Sequence, residues 1–164
     1  MNSGKLTISV MKEQEAREIV IWEYDPPYSI YNMTDDSDSI QELMDGSYFS
    51  VTAQEGELIG FFCYGRNAQV PGGIRQGLYI GDSVLDIGLG LRPELTGMGR
   101  GLDFLQAGLK FGQQKYAPAT FRLSVASFNH RAISLYRKAG FRQTGAFINT
   151  YGETEQAFFL MEKS

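Results

Sequence analysis

The chain is poor in the residues that build metal and covalent-catalysis sites. Cys63 is the one cysteine and His130 the one histidine in 164 residues. A lone cysteine allows no internal disulfide and no cysteine-based metal site, and a lone histidine excludes a histidine-rich one, so no metal is expected. A Ser-His-Asp hydrolase could be built only around His130, and no G-x-S-x-G elbow accompanies it. Basic residues are also short. Fifteen Lys and Arg against 19 Asp and Glu leave a net charge of −4 and a pI near 5.0, which argues against a nucleic-acid surface and weakly favours a cationic acceptor. No apolar run reaches the length of a membrane span, and the opening MNSGKLTISVMKEQEAREIV lacks a signal pattern. A cytoplasmic protein with no membrane partner is the expectation. Two phosphate-binding fingerprints are missing as well. No Lys followed by Ser or Thr closes a glycine loop, and no G-x-G-x-x-G occurs, so neither a P-loop nor a dinucleotide site is indicated.

What is present is the composition of an ordinary globule, 43% hydrophobic and 21% charged, in a length that suits one domain over residues 1–164. Glycine is plentiful, and it concentrates between Leu89 and Leu109, in LGLRPELTGMGRGLDFLQAGL. Val84, Leu85, Ile87, Leu89 and Leu91 form a β-type run. Leu102, Leu105 and Leu109 recur at helical intervals. Gly97, Gly99 and Gly101 therefore stand between a strand and a helix N-terminus, where unbonded N–H groups and the macrodipole stabilise an anion.

Along the chain, Leu6–Met11 predicts a first strand with Leu6, Ile8 and Val10 on one face, and Lys12–Tyr24 a helix that Pro26-Pro27 must end. Trp22, Tyr24, Tyr28 and Tyr31 gather four large aromatics around that proline turn, as pocket lining or as a core cap. The acidic run Thr34–Asp38 predicts loop. Ser39 and Glu42 spell a capping box for a short helix stopped near Gly46. Tyr48–Ala53 and Leu58–Tyr64 predict a hairpin, with Cys63 as a buried thiol. Arg66–Gln76, centred on Pro71-Gly72-Gly73, predicts a loop able to move. After the glycine loop, a helix to about Tyr116 and a strand Thr120–Val125 complete a right-handed βαβ crossover with parallel strands. A helix capped by Asn129 and stopped at Gly140, then two strands around Tyr151-Gly152, finish the chain. The edges of that last hairpin are able to pair between subunits, which leaves a homodimer open.

The loop Thr96-Gly97-Met98-Gly99-Arg100-Gly101, after a strand ending Leu91-Arg92-Pro93, resembles the pyrophosphate loop Q/R-x-x-G-x-G/A of the GNAT superfamily of acetyl-CoA-dependent N-acyltransferases. Thr96 departs from its Gln or Arg. The later N-x-x-A-x-x-L-Y-x-K-x-G-F, matched by Asn129, Ala132, Leu135, Tyr136, Lys138, Gly140 and Phe141, resembles the second half of the same site. The resemblance is close over residues 84–141 and extends to the N-terminal half in element order. It implies an α/β fold: a mixed, mostly antiparallel sheet with a parallel, splayed strand pair and flanking helices.

The resemblance also implies the chemistry. Backbone groups of Leu89 and Leu91 would pair with pantetheine, N–H groups of Met98, Gly99, Arg100, Gly101 and Leu102 in the Gly97 turn would hold the pyrophosphate, and Asn129 would bond the arm of acetyl-CoA. Arg100 adds either a charged phosphate contact or a solvated surface group. The amine of a small molecule, amino acid, antibiotic or peptide would attack the thioester directly, with Tyr136 as general acid for the leaving thiolate and Trp22, Tyr24, Tyr28 and Tyr31 at the acceptor. The ribosomal-protein N-terminal alanine acetyltransferases, similar in their second motif, carry a Glu five residues before the Asn. That position here is Ser124, which cannot act as a base without an activator. Asp86, Glu94 or a water chain remain for that role. The acceptor, and whether the acyl group is always acetyl, stay open, as does the alternative of a non-catalytic acyl-CoA sensor on the same fold.

Overall fold

The computed structural model describes residues 5–164; residues 1–4, the start of the stretch read for a signal pattern, lie outside the described residues. Among the described residues, seven strands and five α-helices make a mixed α/β architecture: β1 (Thr7–Val10), α1 (Glu13–Ile19), α2 (Ser37–Leu43), β2 (Tyr48–Thr52), β3 (Leu58–Tyr64), α3 (Pro71–Arg75), β4 (Val84–Leu91), α4 (Gly101–Tyr116), β5 (Thr120–Ala126), α5 (His130–Lys138), β6 (Arg142–Tyr151) and β7 (Thr154–Lys163). They fall into two compact units. Of the described residues, one comprises 5–63 with 89–103, the other 64–88 with 104–164. Among the described residues no helix is long and apolar enough to cross a membrane.

In the first unit β1 pairs antiparallel with β2, and β2 with β3. The end of β4 is tied to β3 by the Arg92 N–H, which donates to the Ile59 carbonyl at 2.8 Å. The core holds Leu43, Phe49, Val51 and Phe62. Phe61 lies across Gly90, where a Cβ would come within 2.4 Å of its ring, and Trp22 stacks on Phe61 at 6.3 Å. A side chain at Gly90 would lift this aromatic layer off the strand.

In the second unit β4 and β5 run parallel, whereas β5 with β7 and β6 with β7 are antiparallel. The parallel register covers Val84–Asp86 against Thr120–Arg122, and both strands continue beyond it. Helix α4 buries Phe104, Leu105, Gly108, Leu109 and Gly112, and the Tyr64 hydroxyl donates to the Gly108 carbonyl at 2.6 Å. The mixed sheet with one parallel pair and flanking helices is the architecture the resemblance implied.

Several local expectations need correction. Val10 does not share a core face with Leu6 and Ile8: it is 63% exposed, and Met11 takes the buried position instead. Helix α1 stops at Ile19 rather than near Tyr24, because the chain turns at Trp22, whose N–H donates to the Ile19 carbonyl at 3.0 Å. Helix α2 starts within the acidic run. Asp36, not Ser39, caps it, accepting the Ser39 N–H at 2.8 Å, and Glu42 is used instead by the Tyr48 hydroxyl at 2.8 Å. A carboxylate at a helix N-terminus also meets the dipole favourably, so the earlier cap wins. Arg66–Gln76 is not an open loop. It forms a 3-10 turn at Arg66–Ala68 and then α3, with Pro71 in its first turn and Gly72 and Gly73 buried. Gly72 comes so near β6 that a Cβ would lie 2.2 Å from the Ile148 carbonyl oxygen, and its N–H donates to Asn149 Oδ1 at 2.8 Å.

Candidate active site

The glycine loop belongs to the first unit. Strand β4 ends at Leu91, a 3-10 turn spans Pro93–Leu95, and the chain passes through Gly97 and Gly99 before α4 starts at Gly101. Gly97 has φ +73° and Gly99 φ +75°, a left-handed backbone that any other residue enters at a cost. A Cβ on Gly99 would meet nothing within 4 Å, so its face is open to a ligand. Met98 is 64% exposed and Arg100 half-buried. The first amides of a helix have no intrahelical acceptors. The turn therefore presents N–H groups on an uncrowded backbone, the arrangement a phosphate needs.

Arg92 braces the strand that enters this loop. Its guanidinium pairs with Glu57, lies 3.4 Å from Glu94 and donates to the Leu58 carbonyl at 3.1 Å. Thr96, at the departing position, turns its hydroxyl inward to the Pro93 carbonyl at 2.7 Å. It thus shapes the loop from within.

The aromatic segment divides. Trp22 is buried on Phe61. Tyr24 donates its hydroxyl to the Leu91 carbonyl at 2.6 Å, so it serves the strand expected to meet pantetheine; burial, and the nearby charge of Glu94, hold its pKa well above the usual phenol value. Tyr28 and Tyr31 lie on a 3-10 turn, Tyr28 half-buried and Tyr31 exposed, and Asn32 closes the segment by accepting the Tyr24 N–H at 2.8 Å.

In the second unit Asn129 caps α5, its Oδ1 accepting the Ala132 N–H at 3.2 Å. Tyr136, buried to 8% exposure, meets Phe141 edge to face at 6.1 Å, and Gly140 ends the helix at φ +104°. Asn129, Tyr136, Gly140 and Phe141 of the second motif therefore carry local structural duties.

The base candidates are both engaged. Asp86 is buried, with Oδ1 accepting from Arg122 Nε at 2.6 Å and Oδ2 from Arg122 Nη2 at 2.9 Å and Gln69 Nε2 at 2.8 Å. Burial opposes the charge on Arg122, but the bonds and charge of Asp86 outweigh it and raise its pKa. Glu94 is 71% exposed and faces Arg92. Sequence reasoning missed Arg122, Gln69 and Tyr79. The available signal was that Asp86 and Arg122 are the charged residues inside two apolar strands. Ser124 is hydrogen-bonded to the Tyr79 hydroxyl at 2.7 Å. Among the described residues no cluster of three or more metal-ligating side chains occurs.

The model of the acetyltransferase (GNAT) family matches residues 14–141. Two similar proteins, from Sulfolobus acidocaldarius and Sulfurisphaera tokodaii, bear the name N-alpha-acetyltransferase. The first is 27% identical over 121 residues, covering 70% of this chain and 68% of its own; the second is 25% identical over 118 residues, 68% and 66%. A spermidine N-acetyltransferase chimera from Vibrio cholerae shares the fold with a TM-score of 0.73 at 18% identity, covering 98% of this chain and 95% of its own. An acetyltransferase (GNAT family) from Bacillus anthracis superposes with a TM-score of 0.68 at 17% identity, covering 96% and 93%. The family model spans most of the chain, and the fold is that of the solved acetyltransferases: the chain belongs to the GNAT family of N-acetyltransferases.

Proposed function

We propose that residues 1–164 act as one acetyl-CoA-dependent N-acetyltransferase domain whose acceptor is an α-amino group. The observation that carries the acceptor class is the occupation of the carboxylates. Asp86 is bound on both oxygens by Arg122 and Gln69, and Glu94 is exposed beside Arg92. An aliphatic amine of pKa about 10.4 is unprotonated at pH 7 in only roughly one molecule in a few thousand, whereas an α-amino group near 7.8 is so in roughly one in seven. A site without a committed base suits the second. The names of the two archaeal relatives agree with this.

The residues fit the co-substrate that the family uses. The left-handed turn at Gly97 and Gly99, open above Gly99, would take the pyrophosphate on the amides of Met98, Gly99, Arg100, Gly101 and Leu102, with Leu89 and Leu91 offering backbone groups to the pantetheine arm. Asn129 would add a contact from its capping position. Acetyl-CoA supplies the activated acetyl group. Tyr136 would hold a proton for the departing sulfur, which leaves more readily when hydrogen-bonded.

The test is thiol release from acetyl-CoA across amino-acid amides, N-terminal peptides, polyamines and aminoglycosides, beside calorimetric binding of CoA. Turnover concentrated on α-amino acceptors, lowered about a hundredfold or more in Tyr136→Phe with CoA affinity retained, is the expected result. Turnover on polyamines alone would overturn the acceptor class. Binding without turnover on any amine would overturn the enzyme.

A further inference from the structure

Helix α4 and the strands β5 and β7 of the second unit border a cavity of about 270 Å³. Its floor is apolar. Gly112 lets the helix come so close to β5 that a Cβ there would lie 3.0 Å from the Phe121 ring, and Phe121 and Leu109, both lining the cavity, are 7% and 9% exposed. Its rim is cationic. Lys163 is the register partner of Phe121 across β5 and β7, and directly opposed residues project to the same face of a sheet, so the lysine rises beside the ring. Lys110 and Gln113, three residues apart on α4, share a side of the helix and bring a second ammonium and an amide to the same cavity.

The two charges are not neutralised. No Asp or Glu lines the cavity. Glu162, next to Lys163 on β7, takes the other face by strand alternation, where Arg122 and Arg142 are its register partners and the Thr144 hydroxyl donates to it at 3.1 Å. Among the described residues neither Lys110 nor Lys163 makes an ion pair or a side-chain hydrogen bond. Lys163 is nonetheless held in place. Its stem lies along Gly140, with Cδ, Cε and Nζ 3.7, 3.5 and 3.4 Å from the position a Cβ would take there. Two ammonium groups beside two buried apolar side chains suit a ligand with an apolar body and an anionic end, because a carboxylate bonds an ammonium more strongly than a neutral oxygen does. The volume lies near the lower limit of about 300 Å³ for ligand pockets, which limits the body to a single ring.

We propose that this cavity binds a small aromatic carboxylate, with its ring on Phe121 and Leu109 and its carboxylate on the ammonium groups of Lys110 and Lys163. The site uses none of the residues assigned to acetyl-CoA or to the acceptor, so it stands or falls independently of the acetyltransferase reading.

The experiment titrates the full chain with sodium benzoate at constant ionic strength, followed by protein-observed NMR with and without saturating CoA, and repeats the titration with acetate and with benzylamine. Benzoate is expected to shift the amides of residues 109–121 and 163 saturably whether or not CoA is present, to bind at least tenfold more tightly than acetate, and to have no counterpart in benzylamine. Lys110→Gln, a change at an exposed side chain, should weaken benzoate about tenfold, and Lys163→Gln should do the same, with CoA affinity held in both. If Lys163→Gln does not fold, Lys110→Gln decides alone. Competition by CoA would move the anion to the glycine turn and overturn the site. Equal affinity for acetate would overturn the aromatic class, and benzylamine binding or unchanged benzoate affinity in Lys110→Gln would overturn the part given to the lysines. The absence of any saturable shift would overturn the cavity as a ligand site. None of these outcomes bears on acetyl transfer, which thiol release reads separately.

Discussion

The Tyr24 hydroxyl donates to the carbonyl of Leu91 at 2.6 Å, which fastens the segment after α1 to the end of β4. The aromatic residue expected at the acceptor thus orders the strand expected at the pantetheine arm. Tyr24→Phe removes one largely buried hydrogen bond and should cost about 1 kcal/mol of stability. In steady-state assays the KM for acetyl-CoA should rise several-fold while the KM for the acceptor stays put; the reverse pattern would return Tyr24 to the acceptor pocket.

Gly99 separates the demands of backbone and ligand. At φ +75° an alanine pays roughly 1–2 kcal/mol for its conformation, yet nothing lies within 4 Å of the new methyl group. Gly99→Ala should therefore remain folded, with a Tm lower by several degrees, and should bind CoA at least tenfold more weakly by calorimetry. Normal CoA affinity in a folded Gly99→Ala protein would remove this turn from the phosphate site.

Asp86 and Arg122 form a buried pair, each side chain about 5% exposed or less. Asp86→Ala strands the guanidinium and should destabilise the fold by about 3–5 kcal/mol in urea denaturation. A general base would instead show itself as a loss of kcat with stability unchanged. The two outcomes are opposite in kind, so the one substitution decides whether Asp86 is structural or catalytic.

Tyr24, Tyr48 and Tyr79 all have pKa values raised by burial, which is the leading cause in each. The folded state keeps these phenols protonated while the unfolded chain releases its protons near the ordinary value of about 10. Their contribution to stability is complete below pH 10 and is lost as the pH climbs from there towards the folded values. Urea midpoints should fall above pH 10, and Tyr48→Phe, although it gives up the bond to Glu42, should flatten that alkaline decline.

Much of this protein was legible in the order of its residues. Local rules reach a few positions along the chain, and they sufficed for the strand-to-helix change around Gly97, Gly99 and Gly101, the Asn129 cap and the Gly140 stop, whose backbone preferences are their own. They also sufficed for the parallel crossover, since a strand, a helix and a strand of those lengths close in one hand. Where two local signals competed, as with Asp36 and Ser39 for the start of α2, the chain alone did not choose between them. Pairings across long separations were out of reach. Asp86 lies 36 residues from Arg122, Tyr79 lies 45 from Ser124 and Tyr24 lies 67 from Leu91. Each depends on register and on which face of a strand a side chain takes, and a one-residue slip would undo it. The same holds for Arg66–Gln76, which reads as loop because its glycines lower helix propensity, and which folds as a turn and a short helix because Gly72 can approach β6 as a bulkier residue could not. The sequence by itself determined the family and the glycine turn, which are written in contiguous motifs; only the tertiary structure decided which carboxylates are spent on ion pairs, because that is a property of neighbours in space.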